Sequence, residues 1–351
     1  MVNYLDSRRI AGTTAERSSI PTPATSGGWV ELGRTTLGSA GDSIDVTSLA
    51  DKRYYMVLSN DIASGSIYPQ SQLNGDTGLN YSSRRSANGG ADTSLTGRNG
   101  IFEGGAGGTT TNFSVTYVAN YSTKEKLGIR HTVFEGTSGA GNAPAREEIV
   151  GKHAQTSNPI SSFKEFNTAG GDYNTGSEVV VLGWDPSDTH TTNFWEELAD
   201  VTLSSAGDTL SSGTITAKKY LWVQAYLKSS GICGIDMTFN NDTGSNYARR
   251  GSNDGGADFT STSSSALSFN TADTDSAHFF NMFIINNASN EKLGISHGVT
   301  QNTAGAGNAP ERKEQVHKWA NTSNQITKID INNSAGGDYD VDSFIKVWGS
   351  D

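Results

Sequence analysis

The chain has 351 residues, a length that allows two or three domains. Its 41 glycines, 34 % hydrophobic content and 18 % charged content are the balance of an all-β protein with many turns and thin cores. A net charge of −11 argues against a nucleic-acid groove, whose phosphates need clustered Lys and Arg, and the single cysteine, Cys233, excludes an intrachain disulfide and a Cys-based zinc site.

Residues 1–28 are polar, end in PTPATSGG and have no counterpart later, so they read as an N-terminal arm or tether that docks on a partner. The opening MVNYLDSRRIAGTTAER carries mixed charge and no apolar core, so a secretory signal is not expected, and synthesis as a soluble cytosolic product is. No apolar run approaches the roughly 20 residues of a membrane helix, so no membrane insertion is expected.

From Trp29 the chain repeats itself. Residues 29–185 align with residues 195–351 without a net gap, Trp29 matching Trp195 at an offset of 166, and residues 186–194 form the linker. NGDTGLNY (74–81) returns as NNDTGSNY (240–247), GGAD (89–92) as GGAD (255–258), EKLGI (125–129) as EKLGI (291–295), and AGGDY (169–173) as AGGDY (335–339). The period is that of a whole domain, too long for a solenoid unit.

Within each copy the strands follow in order. KRYYMVLSND (52–61) and KKYLWVQAYL (218–227) are rich in β-formers. FSVTYVAN (113–120) alternates apolar and polar residues, and KLGIRHTV (126–133) puts Leu127, Ile129, His131 and Val133 on one face. ISSFKEFN (160–167) and ITKIDIN (326–332), then SEVVVLGWD (177–185) and SFIKVWGSD (343–351), complete at least seven or eight strands per copy. No stretch has helical periodicity. Two tandem jelly-roll-like β-sandwiches from an internal duplication are therefore expected.

The stretch GAGNAPAREEIVGKHA (139–154) returns as GAGNAPERKEQVHKWA (305–320). Beyond the shared GAGNAP every second residue is identical: Arg146, Glu148, Val150 and Lys152 match Arg312, Glu314, Val316 and Lys318. Ile149, Gly151 and His153 instead become Gln315, His317 and Trp319. A period of two means one strand face held fixed while the other drifts. No acid partner or activated nucleophile accompanies Glu148 or Glu314, so the Arg–Glu–Lys face reads as an assembly or structural contact rather than chemistry. Changing these glutamates to Gln is expected to damage assembly or stability. His131 and His297 share a face with Leu, Ile and Val and read as structural histidines in or near the core, since no nucleophile elbow or zinc-binding His pair accompanies them.

Asp76, Asn80, Tyr81 and Asp92, with Asp242, Asn246, Tyr247 and Asp258, surround Gly-rich turns. Asx turns use these residue types; so do calcium loops, and tyrosines beside polar loops can stack on a sugar ring. No other cofactor is implied.

The strings LGRTTLGSAGD (32–42), NNDTGSNYA (240–248), NGGAD (88–92), EKLGI, TAGAGNAP (303–310), KWANTS (318–323) and GSEVVVLG (176–183) resemble a group of virion structural proteins with duplicated β-domains from tailed viruses of bacteria and archaea and marine virus metagenomes. The segment LDSRRIAGTTAERSSI (5–20) resembles the same group's leading segment. The resemblance implies a non-enzymatic virion protein exposed on the particle: capsid decoration, a head fibre or a tail-associated host-binding protein. It implies no catalytic residues. Its partners would be other virion proteins through the arm, further copies of itself and a host-surface glycan. A tandem carbohydrate-binding module and a double jelly-roll capsid shell protein stay open as alternatives.

Overall fold

A computed structural model describes residues 3–5, 8–11, 28–104, 111–186, 188, 192–229, 231–274, 277–301 and 303–351. The anchoring expected of the N-terminal arm falls largely outside the described residues; within it, β1 (Asn3–Leu5) and β2 (Arg8–Ala11) pair antiparallel.

The first copy contains β3 (Val30–Thr36), β4 (Ser43–Thr47), β5 (Tyr54–Asp61), β6 (Pro69–Leu73), β7 (Tyr81–Ala87), β8 (Thr93–Arg98), β9 (Asn112–Ala119), β10 (Lys126–Phe134), β11 (Ala145–His153), β12 (Ser162–Asn167) and β13 (Glu178–Trp184). The second contains β14 (Glu196–Thr202), β15 (Thr209–Thr214), β16 (Tyr220–Lys228), β17 (Ile232–Phe239), β18 (Tyr247–Asn253), β19 (Phe259–Ser264), β20 (Leu267–Thr274), β21 (Ala277–Ile285), β22 (Lys292–Thr300), β23 (Glu311–Trp319), β24 (Lys328–Asn332) and β25 (Phe344–Ser350). The described residues are all-β.

The second copy shows the topology most completely. Its larger sheet runs β14-β25-β16-β21-β22-β23-β18-β19 and its smaller one β15-β24-β17-β20. Setting aside two inserted hairpins, β18–β19 and β22–β23, leaves eight strands in two four-stranded sheets, one ordered first, last, third, sixth and the other second, seventh, fourth, fifth. That is the double Greek-key order of a jelly roll. The inserted strands extend the first sheet sideways to eight. The first copy has the same order, β3-β13-β5-β9-β10-β11-β7-β8 over β4-β12-β6. There the fourth strand of the small sheet shrinks to one bridge, in which Ser71 and Ile101 exchange backbone hydrogen bonds of 2.9 and 2.8 Å.

Each sandwich has its own core: Ile44, Val57, Phe163 and Val181 in the first, Leu210, Val223, Ile331 and Val347 in the second. A third apolar cluster joins the two, packing Met56, Leu58, Phe113, Val133 and Leu182 against Trp195, Tyr220, Phe283, Leu293 and Ile295. All of these project from the outer faces of the large sheets, so the two sandwiches meet large sheet to large sheet. Burying apolar sheet faces against one another is the dominant favourable contribution to such a contact.

The polar β6 (PQSQL) and β7 (YSSRRSA) lack the apolar alternation by which strands are read, and only the tertiary fold shows them. The face bearing Leu127, Ile129, His131 and Val133 is a correction to the expected placement. These residues point away from their own core, and Gly128, Arg130, Thr132 and Phe134 point into it.

Candidate functional site

The fixed strand face lies on this outer surface. In β11, Arg146, Glu148, Val150 and Lys152 project outward while Glu147, Ile149, Gly151 and His153 face the core, and β23 repeats the alternation. The drift between copies is core repair. Gly151 leaves room for Ile101 and Phe102 in the first sandwich, whereas His317 fills the equivalent space in the second and lies 2.7 Å from the Ser296 hydroxyl.

At the centre of the contact, residues meet their own repeat-mates. The rings of His131 and His297 lie 4.3 Å apart, and Glu148 sits beside Glu314. Burial, then Arg146, lowers His131 to about 4; burial, then His131, lowers His297 to about 3. Both rings are therefore neutral near pH 7. Burial also pushes the Glu148 carboxyl up to about 7, with Glu314 adding to the rise and Arg146 opposing it.

On one side of this centre the seam is closed. Arg146 donates through Nη2 to Asp258 Oδ1 at 2.8 Å and through Nε at 3.1 Å, pairs with Glu148, and lies 3.5 Å from Glu314. Arg146 and Asp258 are 7 % and 4 % exposed, so this is a buried cross-sandwich ion pair. Lys318 Nζ donates to the carbonyls of Glu135 and Thr137 at 3.2 and 2.8 Å and lies 3.6 Å from Glu291. The first GAGNAP loop docks beside it. Gly139, in the left-handed region at φ 90°, donates its N–H to Glu291 at 2.6 Å, Ala140 accepts from Ser263 N–H at 2.7 Å, and Pro144 accepts from Arg250 at 2.9 Å. Further along the contact, Glu178 accepts from the Tyr220 hydroxyl at 2.8 Å and lies 3.0 Å from Lys219 Nζ.

On the other side the repeat-mates are apart. Arg312 is largely exposed and pairs with Glu314; Lys152 pairs with Glu125 at 2.9 Å, and Asp92 with Arg84 at 3.6 Å, all near the surface. The structure thus brings Arg146, Glu148, Glu314 and Lys318 into the seam and leaves Arg312 and Lys152 outside it.

The Asp/Asn/Tyr turns serve their own copies. Asp76 accepts from Gly78 N–H at 2.8 Å and Asn80 Nδ2 at 2.9 Å, and its other contact is His153 Nε2 at 2.8 Å. Asp242 accepts from Gly244 and Asn246 in the same way and from Trp319 Nε1 at 2.8 Å. His153 and Trp319 are drifted positions, yet both reach the turn carboxylate and stack on the tyrosine below. Partial burial acts to raise both carboxyls, and these hydrogen bonds outweigh it and hold them below the usual range. Tyr81 and Tyr247 are fully buried, and their hydroxyls donate to the carbonyls of Asp76 and Asp242 at 3.0 and 2.9 Å. The expectation that they stack on a sugar is corrected: these rings are core. Asp92 and Asp258 take partners other than the turns, Arg84 and Arg146, and among the described residues no group of three or more His, Cys, Asp or Glu is placed to hold a metal ion.

One cluster escapes sequence reasoning. Inside the first sandwich, Arg130 Nη2 donates to Glu165 Oε2 at 2.7 Å and Nε to Thr116 Oγ1 at 2.9 Å, and Ser71 Oγ donates to Glu165 at 2.8 Å. Asp61 lies beside them, its carboxyl pushed well up by burial and then by Glu165. The second sandwich has Ser296, Ile331 and Leu227 in place of Arg130, Glu165 and Asp61. That joint replacement of three charged residues is the trace the cluster leaves in the repeat.

Comparison with known proteins gives no family: no family model matches the chain, and no curated protein does. Among solved structures, domains LG4-5 of the mouse laminin alpha1 chain align over 92 % of this chain and 88 % of that one at 9 % identity, with a TM-score of 0.19. A chain from the atomic structure of Sulfolobus Turreted Icosahedral Virus aligns over 93 % and 94 % at 10 % identity, with a TM-score of 0.13. Scores this low carry no argument about fold or function.

Proposed function

We propose that the chain is a non-enzymatic structural component of a virus particle, made in the host cytoplasm and built into the virion as a decoration, head-fibre or tail-associated part. One observation carries the reading: Arg146, Glu148, Glu314 and Lys318, the outward charged residues most suggestive of chemistry, join one sandwich to the other. A catalytic carboxylate needs access to substrate and an acid or nucleophile partner. Glu148, a third exposed, and Glu314 instead pair with Arg146 in the seam, beside neutral histidines and, among the described residues, without an acid or nucleophile partner. The resemblance of the repeat motifs to tailed-virus virion proteins supports the same reading, as does the jelly-roll order of the strands.

The test is localisation. Purified particles analysed by mass spectrometry and cryo-EM are expected to contain the chain at a fixed copy number, lost when residues 1–28 are deleted. Particles lacking the chain would overturn the virion reading. Retention of the truncated chain would overturn the anchoring role of the arm, and saturable hydrolytic turnover of a polysaccharide would overturn the non-enzymatic reading.

A further inference from the structure

At one end of the first sandwich the interior is polar where that of the second is largely apolar. Asp61 and Asn112 stand opposite each other on β5 and β9, and Ser114 follows Asn112 on the same face of β9. Glu165 approaches from β12 in the smaller sheet. These four residues are 1 %, 1 %, 2 % and 0 % exposed, and with Arg130 they line one cavity. At the matching positions the second sandwich has Leu227, His278, Phe280 and Ile331. Leu227, Phe280 and Ile331 belong to its apolar core, Phe280 stacks on Phe269 at 4.5 Å, and His278 pairs with the Thr300 hydroxyl at 2.9 Å. The fold therefore does not require polar residues at this place.

Several polar atoms of these four residues have no hydrogen-bond partner among the described residues. Three accept: Asp61 Oδ1, Glu165 Oε1 and Asn112 Oδ1. Two donate: Asn112 Nδ2 and Ser114 Oγ. Buried polar atoms in folded proteins pair with protein, water or an ion, because leaving water without a replacement bond is costly. The neighbouring groups are already committed. Glu165 Oε2 accepts from Arg130 Nη2 at 2.7 Å and from Ser71 Oγ at 2.8 Å, and Arg130 Nε donates to Thr116 Oγ1 at 2.9 Å. The cavity measures about 10 Å³, which admits one water-sized body and nothing larger.

We propose that this cavity is an internal hydration site, in which one water molecule donates to Asp61 Oδ1 and Glu165 Oε1 and accepts from Asn112 Nδ2 and Ser114 Oγ. Water is the ligand this donor set selects. It offers two hydrogens and two lone pairs, and the wall offers two carboxylate oxygens, an amide N–H and a hydroxyl. A metal ion would use lone pairs alone and leave the Asn112 N–H unanswered. It would also sit near the Arg130 guanidinium, which already neutralises Glu165 at 2.7 Å. An anion would face Asp61 and Glu165. The water ties the smaller sheet, through Glu165, to the larger sheet, through Asp61, Asn112 and Ser114. The second sandwich relies on apolar packing at the same place. The first sandwich is thus held at this end by directional bonds through solvent.

The experiment is a high-resolution crystal structure of the full-length chain, joined to oxygen-17 relaxation dispersion of water on the same protein in solution, where a slowly exchanging internal water adds a low-frequency step. The expected density is a single peak about 2.8 Å from each of the four atoms. The expected dispersion amplitude falls by one water in Ser114→Val, whose branched side chain fills the cavity and removes one donor. Thermal melts check that this variant is folded, and Asn112→Leu takes its place if it is not. Contacts of about 2.4 Å would mark a cation and overturn the proposal. So would protein atoms filling the cavity, a site without density, or a dispersion that the folded variant leaves unchanged.

Discussion

Replacing Arg146 by Met removes the cation at the middle of the closed seam and keeps most of the side-chain volume. Asp258 then loses three hydrogen bonds of 2.8 to 3.2 Å while 4 % exposed. Breaking a buried pair by removing one partner costs about 3–5 kcal/mol, because the remaining charge stays buried. Two features move the expectation to the low end. Arg250 Nη1 lies 3.9 Å from Asp258 and supplies part of the lost field, and Glu148 is a third exposed, so its share of the pairing is screened by water. The expected loss is therefore about 3 kcal/mol, roughly a hundredfold in the folding equilibrium. Urea unfolding followed by tryptophan fluorescence measures it, because Trp195 and Trp222 belong to the joining cluster. Arg312→Met is the internal control. Its guanidinium is 59 % exposed, so at protein concentrations that keep the chain monomeric it should cost about 0–1 kcal/mol. Pairing Arg146→Met with Asp258→Leu should restore most of the loss, since no charge is then left buried. Equal effects of Arg146→Met and Arg312→Met would refute the reasoning, because the repeat would then be behaving symmetrically.

Further tests address the remaining features. Glu165→Ile alone leaves Arg130 buried without its carboxylate and should cost about 3–5 kcal/mol. The combined Asp61→Leu, Ser71→Met, Thr116→Met, Arg130→Ser and Glu165→Ile chain takes the second sandwich's residues at these five positions and removes Arg130 together with Glu165, so it should melt above Glu165→Ile alone; a greater loss than that of the single variant would refute this. His131, His297 and His317 are held at about 4, 3 and 3 when folded and protonate first in the unfolded chain, so their contribution to stability should be lost as pH drops from about 6.5 toward 4. Glu148, Asp61 and Glu291, whose carboxyls burial raises, act in the opposite direction, so the histidine contribution is read by comparing the wild type with a chain lacking the rings. The His131→Gln, His297→Gln chain should show a shallower dependence of melting temperature on pH, and an unchanged slope would remove these rings from the account. Glu148→Gln, which the strand face held fixed between the copies marks as damaging, should cost less than about 1 kcal/mol, because Gln still accepts from Arg146 and ends the crowding against Glu314. Tyr81→Phe and Tyr247→Phe should each lose about 1 kcal/mol through their hydroxyl bonds, and a loss of glycan binding without a loss of stability would contradict their core placement.

Local pattern determined a good deal of this protein. The offset from Trp29 to Trp195 marked two copies, glycine content and alternation marked strands, and the period of two in Arg146–Glu148–Val150–Lys152 separated a fixed face from a drifting one. Those properties reside in neighbouring residues, so they are legible one strand at a time. Which side of a strand is the core is another matter. His131 and Arg130 are adjacent, and composition suggests that the histidine beside Leu, Ile and Val points inward. The fold places Arg130 inside, against Glu165 from a strand 35 residues away, and His131 outside, against His297. Both choices depend on partners brought close only by the sheet order. Tertiary structure alone also decided that two nearly identical surfaces have different fates. Leu293 is covered in the cluster that holds Leu58, Val115 and Val180, whereas the second sandwich carries Gln224, Asn281 and Lys346 at those positions and Leu127 stays open.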